Sequence, residues 1–225
     1  MKFAGLQKTS LIDYPNRIAS VLFAPGCNLR CPYCHNWQIA FHPSPPFLSE
    51  DEALYILEKR KRHVNAVVVS GGEPTLHEDL PLFLEKLKER GFYVKLDTNG
   101  FRPDVLEECL PLLDYVALDV KTSPEKYRLL GARDPSPIIR SAGMLKGSGV
   151  SYEFRTTVVP KLVSEEDIHK IGEIVQGARL LVLQQFIPEN AYSPEYRAAR
   201  PYNAEEILRM AEAAKPYVKK VETRI

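Results

Sequence analysis

Ile18-Ala19-Ser20-Val21-Leu22-Phe23 leads through Ala24-Pro25-Gly26 into Cys27-Asn28-Leu29-Arg30-Cys31-Pro32-Tyr33-Cys34. The first run is apolar almost throughout, which fits a strand covered on both faces, as in a parallel sheet. The second places three thiols just beyond that strand, spaced C-x3-C-x2-C, with no fourth cysteine near. A [4Fe–4S] cube takes four thiolates, one per iron. Three leave one iron without a protein ligand. Structural metal sites close their shells, whereas catalytic ones keep a position free. The triplet therefore reads as an open iron–sulfur cluster. A zinc site would need His35 as fourth ligand, directly beside Cys34, and no second ligand pair follows. A disulfide framework does not fit the spacing or the lack of a signal peptide.

Working outward, five further apolar β-rich runs occupy 66–69, 93–97, 115–120, 152–159 and 180–186, after the first at 18–23. Helical patterns occupy 49–62, 80–90, 103–110, 136–146, 164–175 and 203–214. Ser49 with Glu52 makes a capping box, Ser164 with Asp167 a weaker one, and Gly91 stands where a C′ glycine is expected. Strands alternating with helices predict an α/β fold with right-handed crossovers. Six units are too few to close an eight-stranded barrel, so an incomplete barrel or an open sheet follows, with ligands at the carboxyl ends of the strands. Polar residues and glycines gather at those ends. They are the cysteine run, Ser70-Gly71-Gly72-Glu73-Pro74-Thr75, Asp97-Thr98-Asn99-Gly100, Leu118-Asp119-Val120-Lys121, Arg155 and Gln184-Gln185-Phe186.

Composition narrows the class. The 225 residues are 44 % hydrophobic and carry a net charge of +1, so no global field favours nucleic acid or anionic membrane. No apolar stretch approaches the roughly 20 residues that span a bilayer. A cytoplasmic protein is expected, in a compartment that keeps thiols reduced. Cys109, in an amphipathic helical pattern, reads as a small buried hydrophobe. The basic run Lys59-Arg60-Lys61-Arg62 reads as a solvated helix end, His77 as a loop residue and His42-Pro43-Ser44-Pro45-Pro46 as a loop.

The cysteine run with Tyr33 before its third cysteine, and Gly71-Gly72-Glu73, resemble the signatures of the radical S-adenosylmethionine (SAM) superfamily. Cys31-Pro32-Tyr33-Cys34-His35-Asn36, Asp97-Thr98-Asn99-Gly100 and Leu118-Asp119-Val120-Lys121 resemble the activating enzymes of glycyl-radical enzymes. Residues 5–15, Gly-Leu-Gln-Lys-Thr-Ser-Leu-Ile-Asp-Tyr-Pro, are similar to the activating proteins of anaerobic ribonucleoside-triphosphate reductases.

The resemblance covers nearly the whole chain. It implies one radical SAM domain over 1–225, core about 16–190, built as an incomplete (β/α)6 barrel with N- and C-terminal extensions. It implies that Cys27, Cys31 and Cys34 hold three irons and that SAM chelates the fourth. An electron from the cluster then breaks the sulfonium–C5′ bond, and the 5′-deoxyadenosyl radical takes a hydrogen atom from a glycine of a partner protein. It further implies SAM contacts at Tyr33, Gly71, Gly72, Glu73, Asp97, Asp119, Lys121 and Arg155. His35 becomes a neighbour of the cluster, and Asp97, Thr98 and Asp119 a monovalent-cation site. A flavodoxin- or ferredoxin-like donor would supply the electron. Formate-lyase activators place a histidine near the end of strand six, where this chain has Gln184-Gln185-Phe186-Ile187-Pro188, so Gln185 is a candidate substitute. That departure puts a reductase partner ahead of pyruvate formate-lyase. Radical chemistry on a small molecule, or a non-enzymatic electron-carrying or zinc-binding role, is the alternative.

Overall fold

The computed structural model describes residues 1–225. Its contacts divide the chain into two compact units, one of Met1–Asn28, Asn36–Thr98 and Asp104–Ala117, the other of Leu29–His35, Asn99–Pro103 and Leu118–Ile225. In chain order the first carries β1 (Lys2–Phe3), β2 (Gly5–Tyr14), β3 (Arg17–Ala24), α1 (Trp37–Phe41), β4 (Leu48–Ser49), α2 (Glu50–Arg60), β5 (Ala66–Gly71), α3 (Leu80–Glu89), β6 (Tyr93–Thr98) and α4 (Pro103–Cys109, apart from its first residue). β7 (Tyr115–Asp119) begins in the first unit and ends in the second. The second continues with α5 (Ser136–Gly147), β8 (Ser151–Val158), α6 (Glu165–Ile174), β9 (Leu181–Gln185), α7 (Pro194–Arg197), α8 (Ala204–Ala214) and β10 (Val221–Arg224).

The six predicted strands appear as β3 and β5 to β9, and the six predicted helices as α2 to α6 and α8, within two residues at every end. In the first unit β3, β5 and β6 pair in parallel, Leu22 beside Val69 and Val69 beside Leu96. In the second, β8, β9 and β10 pair in parallel, Phe154 beside Leu181 and Leu181 beside Val221. Within each unit, parallel pairing sends the carboxyl ends of its strands to one edge, where that unit's polar loops begin. The central strands are sealed on both faces: Val67, Val68, Val69, Leu96, Phe154 and Leu183 are buried. α3 buries Leu80, Phe83, Leu84 and Leu87, spaced three and four apart on one face, and Phe83 meets Phe3 at 4.9 Å between ring centroids.

Local signals behave as expected. Both predicted capping boxes form, at Ser49 with Glu52 and at Ser164 with Asp167, and Gly91 takes the left-handed conformation (φ 68°). β2 has no counterpart among the predicted strands. It pairs antiparallel with β3 through an irregular register, and Leu11 and Ile12 in it are 73 % and 86 % exposed. A strand with outward apolar residues and two register breaks carries no clean period-2 pattern.

Candidate active site

The first unit contains the exit of β3 and the turn after β5. Gly72 N–H donates to the Ala24 carbonyl (2.9 Å) and Glu73 N–H to the Gly26 carbonyl (2.8 Å). The two glycines are needed for that approach. A Cβ on Gly72 would stand 1.9 Å from the Gly26 oxygen, and one on Gly71, whose φ is +116°, 2.5 Å from the Ala24 nitrogen. Glycines expected to let a ligand close to the backbone thus first let the β3 exit close, one residue before Cys27. Asn36 Nδ2 donates to the Gly71 carbonyl (3.1 Å), a second tie to the same turn.

Glu73 fixes the turn from inside. Its buried carboxylate accepts from the Thr75 N–H (3.0 Å), the Thr75 hydroxyl and the Thr98 hydroxyl (2.7 Å). Asp97 accepts from Lys95 Nζ and from Ser70 Oγ (3.2 Å). Lys95 is 1 % exposed and was missed in the sequence, where a lysine in a strand reads as a solvent-facing position. His77, expected in a loop, follows the 3₁₀ turn Pro74–Leu76 and bonds the Pro25 carbonyl through Nε2 (2.9 Å).

The second unit contains the ends of β7, β8 and β9. Lys121 Nζ donates to Asp119 Oδ2 (3.1 Å) and Arg155 Nε to Oδ1 (2.8 Å), so one carboxylate carries two cations. Burial alone would raise the Asp119 pKa, but Arg155 and Lys121 outweigh it and hold the carboxyl at about 2. Burial alone would lower that of Lys121, yet Asp119 keeps it well above its ordinary value. The backbone N–H of Lys121 donates to the buried Tyr127 hydroxyl (3.0 Å), an anchor that sequence reading missed.

The triad has a pH signature. A carboxyl depressed in the folded state contributes stability that is complete above its unfolded pKa of about 4 and is lost as pH falls towards the folded value. Asp119→Asn leaves two neighbouring cations unbalanced and is expected to cost about 2 kcal/mol at pH 7. The gap from wild type should shrink between about pH 4 and pH 2, read by urea unfolding across that range. A gap that stays constant through the window contradicts the assignment.

The residues expected to hold a monovalent cation have protein partners of their own. Asp97 takes the Lys95 ammonium, the Thr98 hydroxyl donates to Glu73, and Asp119 takes Arg155 and Lys121. Protein cations balance both carboxylates. Gln185, at the end of β9, donates through Nε2 to the Phe186 and Tyr202 carbonyls (3.2 and 3.1 Å), holding the β9 exit.

The thiols themselves are unbridged. Cys27 and Cys34 are partly exposed and Cys31 is buried. Cys34 N–H donates to the Cys31 carbonyl (3.1 Å), a turn that sets the spacing of that pair. Soft thiolates suit an iron–sulfur cluster, and the run lies at a parallel-strand exit, so the donor set fits the group. No three His, Cys, Asp or Glu side chains gather around a single metal ion. A four-iron cluster is wider than one ion, and its thiolates stand correspondingly further apart. Cys109 lies in the core as expected, its thiol pushed up to about 12 by burial, with Glu108 and Glu73 adding to it.

Residues 21–175 match the model of the radical SAM superfamily. The chain belongs to the radical SAM superfamily. It is 36 % identical, over 98 % of its length and 95 % of the relative's, to a Methanocaldococcus jannaschii protein provisionally named a glycyl-radical enzyme activating enzyme. It is 31 % identical to the pyruvate formate-lyase-activating enzyme of Clostridium pasteurianum, over 82 % of this chain and 80 % of that one. Within the radical SAM superfamily it therefore belongs with the glycyl-radical enzyme activating enzymes. Among solved structures, Streptococcus suis SuiB bound to the precursor peptide SuiA superposes with a TM-score of 0.71 at 16 % identity. That match covers 91 % of this chain and 48 % of SuiB, so the chain spans about half of it, and the likeness is one of fold. No helix is long and apolar enough to cross a membrane.

Proposed function

We propose that the chain, acting as one radical SAM domain, installs a glycyl radical on a partner protein, with an anaerobic ribonucleoside-triphosphate reductase as that partner. The observation that carries the reading is the cysteine triplet at the exit of β3, latched by the Gly72 and Glu73 amides. When bound, the cluster and SAM supply a one-electron reductive cleavage that ends in removal of a hydrogen atom from the partner's glycine. The chain's own residues bind and orient. Cys27, Cys31 and Cys34 hold the cluster and leave one iron for SAM. The Gly71–Gly72 edge offers backbone to the SAM amine. Lys121 and Arg155, gathered on Asp119, offer positive charge to the SAM carboxylate. Tyr33, buried beside Cys34, lines the adenine side through its backbone. A small redox protein of the flavodoxin or ferredoxin class delivers the electron, and the reaction belongs in the cytoplasm. A monovalent cation at Asp97, Thr98 or Asp119 would share the two carboxylates with Lys95, Lys121 and Arg155.

The partner rests on the resemblance of residues 5–15 to reductase activators and on the β9 exit, which offers Gln185 where formate-lyase activators have histidine. Pyruvate formate-lyase is the second reading, favoured by the 31 % identity to its activating enzyme. The test is anaerobic: reduced protein, SAM and each candidate partner, followed by electron paramagnetic resonance. A glycyl doublet with the reductase is expected. A doublet with formate-lyase alone transfers the assignment to that partner. Cleaved SAM with no doublet on any glycyl-radical protein sinks the activase reading and favours a small-molecule substrate.

A further inference from the structure

We propose that His35, backed by Phe186, is a positioning residue that clamps the arc carrying Cys31 and Cys34 onto the segment after β9. The inference rests on the reading that these thiols hold the cluster. The arc Leu29–His35 belongs to the same compact unit as β9 and has no regular secondary structure of its own. Three of its anchors lie in the same unit. Arg30 N–H donates to the Leu130 carbonyl (2.7 Å), and the Pro32 carbonyl accepts from Ser193 N–H (2.8 Å). At its end His35 Nε2 lies 2.6 Å from the Ile187 carbonyl. A carbonyl accepts only, so Nε2 carries the proton.

Phe186 builds the floor beneath the arc. Its ring, 1 % exposed, meets Tyr33 edge-on at 6.4 Å, His35 at 6.5 Å and Tyr196 edge-on at 6.4 Å. Tyr33 and His35 are the residues on either side of Cys34, so two of the three ring contacts bear on the neighbours of one ligand. The backbone anchors at Arg30 and Pro32 hold the arc on the Cys31 side. His35 is a side-chain anchor on the Cys34 side, and it is exposed, so its hydrogen bond does little for the core. Partners around a ligand typically change metal affinity by about ten- to a hundredfold.

The test compares wild type, His35→Ala, His35→Gln and Phe186→Leu after anaerobic reconstitution with iron and sulfide. Glutamine keeps an N–H donor for the Ile187 carbonyl. His35→Ala is expected to release iron to a chelator about tenfold faster than wild type. His35→Gln should stay within about twofold, and the metal-free melting temperature of both should match wild type within about 2 °C. Phe186→Leu should also accelerate release, with a changed signal from the reduced cluster. Equal release from His35→Ala and wild type overturns the clamp. So does His35→Gln releasing as fast as His35→Ala, or a fall in metal-free melting temperature that parallels release. If wild type takes up no iron, the cluster reading itself fails, and the clamp with it.

Discussion

Gly72→Ala is expected to lower the melting temperature by roughly 10 °C, from a cost of about 3 kcal/mol or more in a chain of this size. The added Cβ would stand 1.9 Å from the Gly26 oxygen and 2.7 Å from the Gly26 carbon. Both are backbone atoms, so no side-chain rotation relieves the clash. The turn after β5 and the β3 exit must separate, which breaks the amide bonds from Gly72 to Ala24 and from Glu73 to Gly26. Because Gly26 immediately precedes Cys27, the reconstituted variant should also bind less iron than wild type. Gly143→Ala is the control. Gly143 is exposed within α5, nothing lies within 4 Å of its added Cβ, and alanine there should stabilise by about 1 kcal/mol. Opposite signs from two chemically identical substitutions would assign the effect to the latch. A Gly72→Ala protein as stable and as iron-rich as wild type would remove it.

Cys34→Ser is expected to abolish SAM cleavage, a loss of at least about a thousandfold, while leaving the fold in place. Cys34 is partly exposed, and serine is nearly its size, so packing changes little. In the proposed reading its thiolate is one of three that hold irons, and a hydroxyl is a poor substitute for a soft ligand. Unaltered circular dichroism with lost iron and lost turnover is the predicted combination. Cys109→Ser supplies the contrast. The Cys109 thiol, raised to about 12 and enclosed, takes no part in the site, so that variant should keep both iron and cleavage at the expense of some stability. Retained cleavage in Cys34→Ser would exclude Cys34 as a ligand.

Much of this was legible in the chain because the signals are local. β5 opens with four consecutive buried apolar residues, and Ser70 with two glycines follows them, a pattern that announces a parallel strand and its turn without help from the fold. Ser49 and Glu52 announce a helix start for the same reason. The cysteine triplet needs no fold to be recognised. What escaped depends on partners remote in sequence. Lys95 is legible as a buried ion only once Asp97 beside it is known to face inward. Tyr127 anchors the Lys121 amide from a 3₁₀ turn whose residues show no period. His35 and Ile187 lie 152 residues apart, and nothing in either segment predicts that they meet. β2 hid for a different reason, because its outward apolar residues erase the alternation that marks a half-buried strand.

The central claim is that the triplet holds an open cluster which cleaves SAM. Anaerobically reconstituted protein, reduced with dithionite and given SAM, tests it most directly, with metals and products measured on one sample. The predicted result is about four irons per chain and release of methionine with 5′-deoxyadenosine in equal amounts. Zinc in place of iron, with SAM recovered intact, would contradict it.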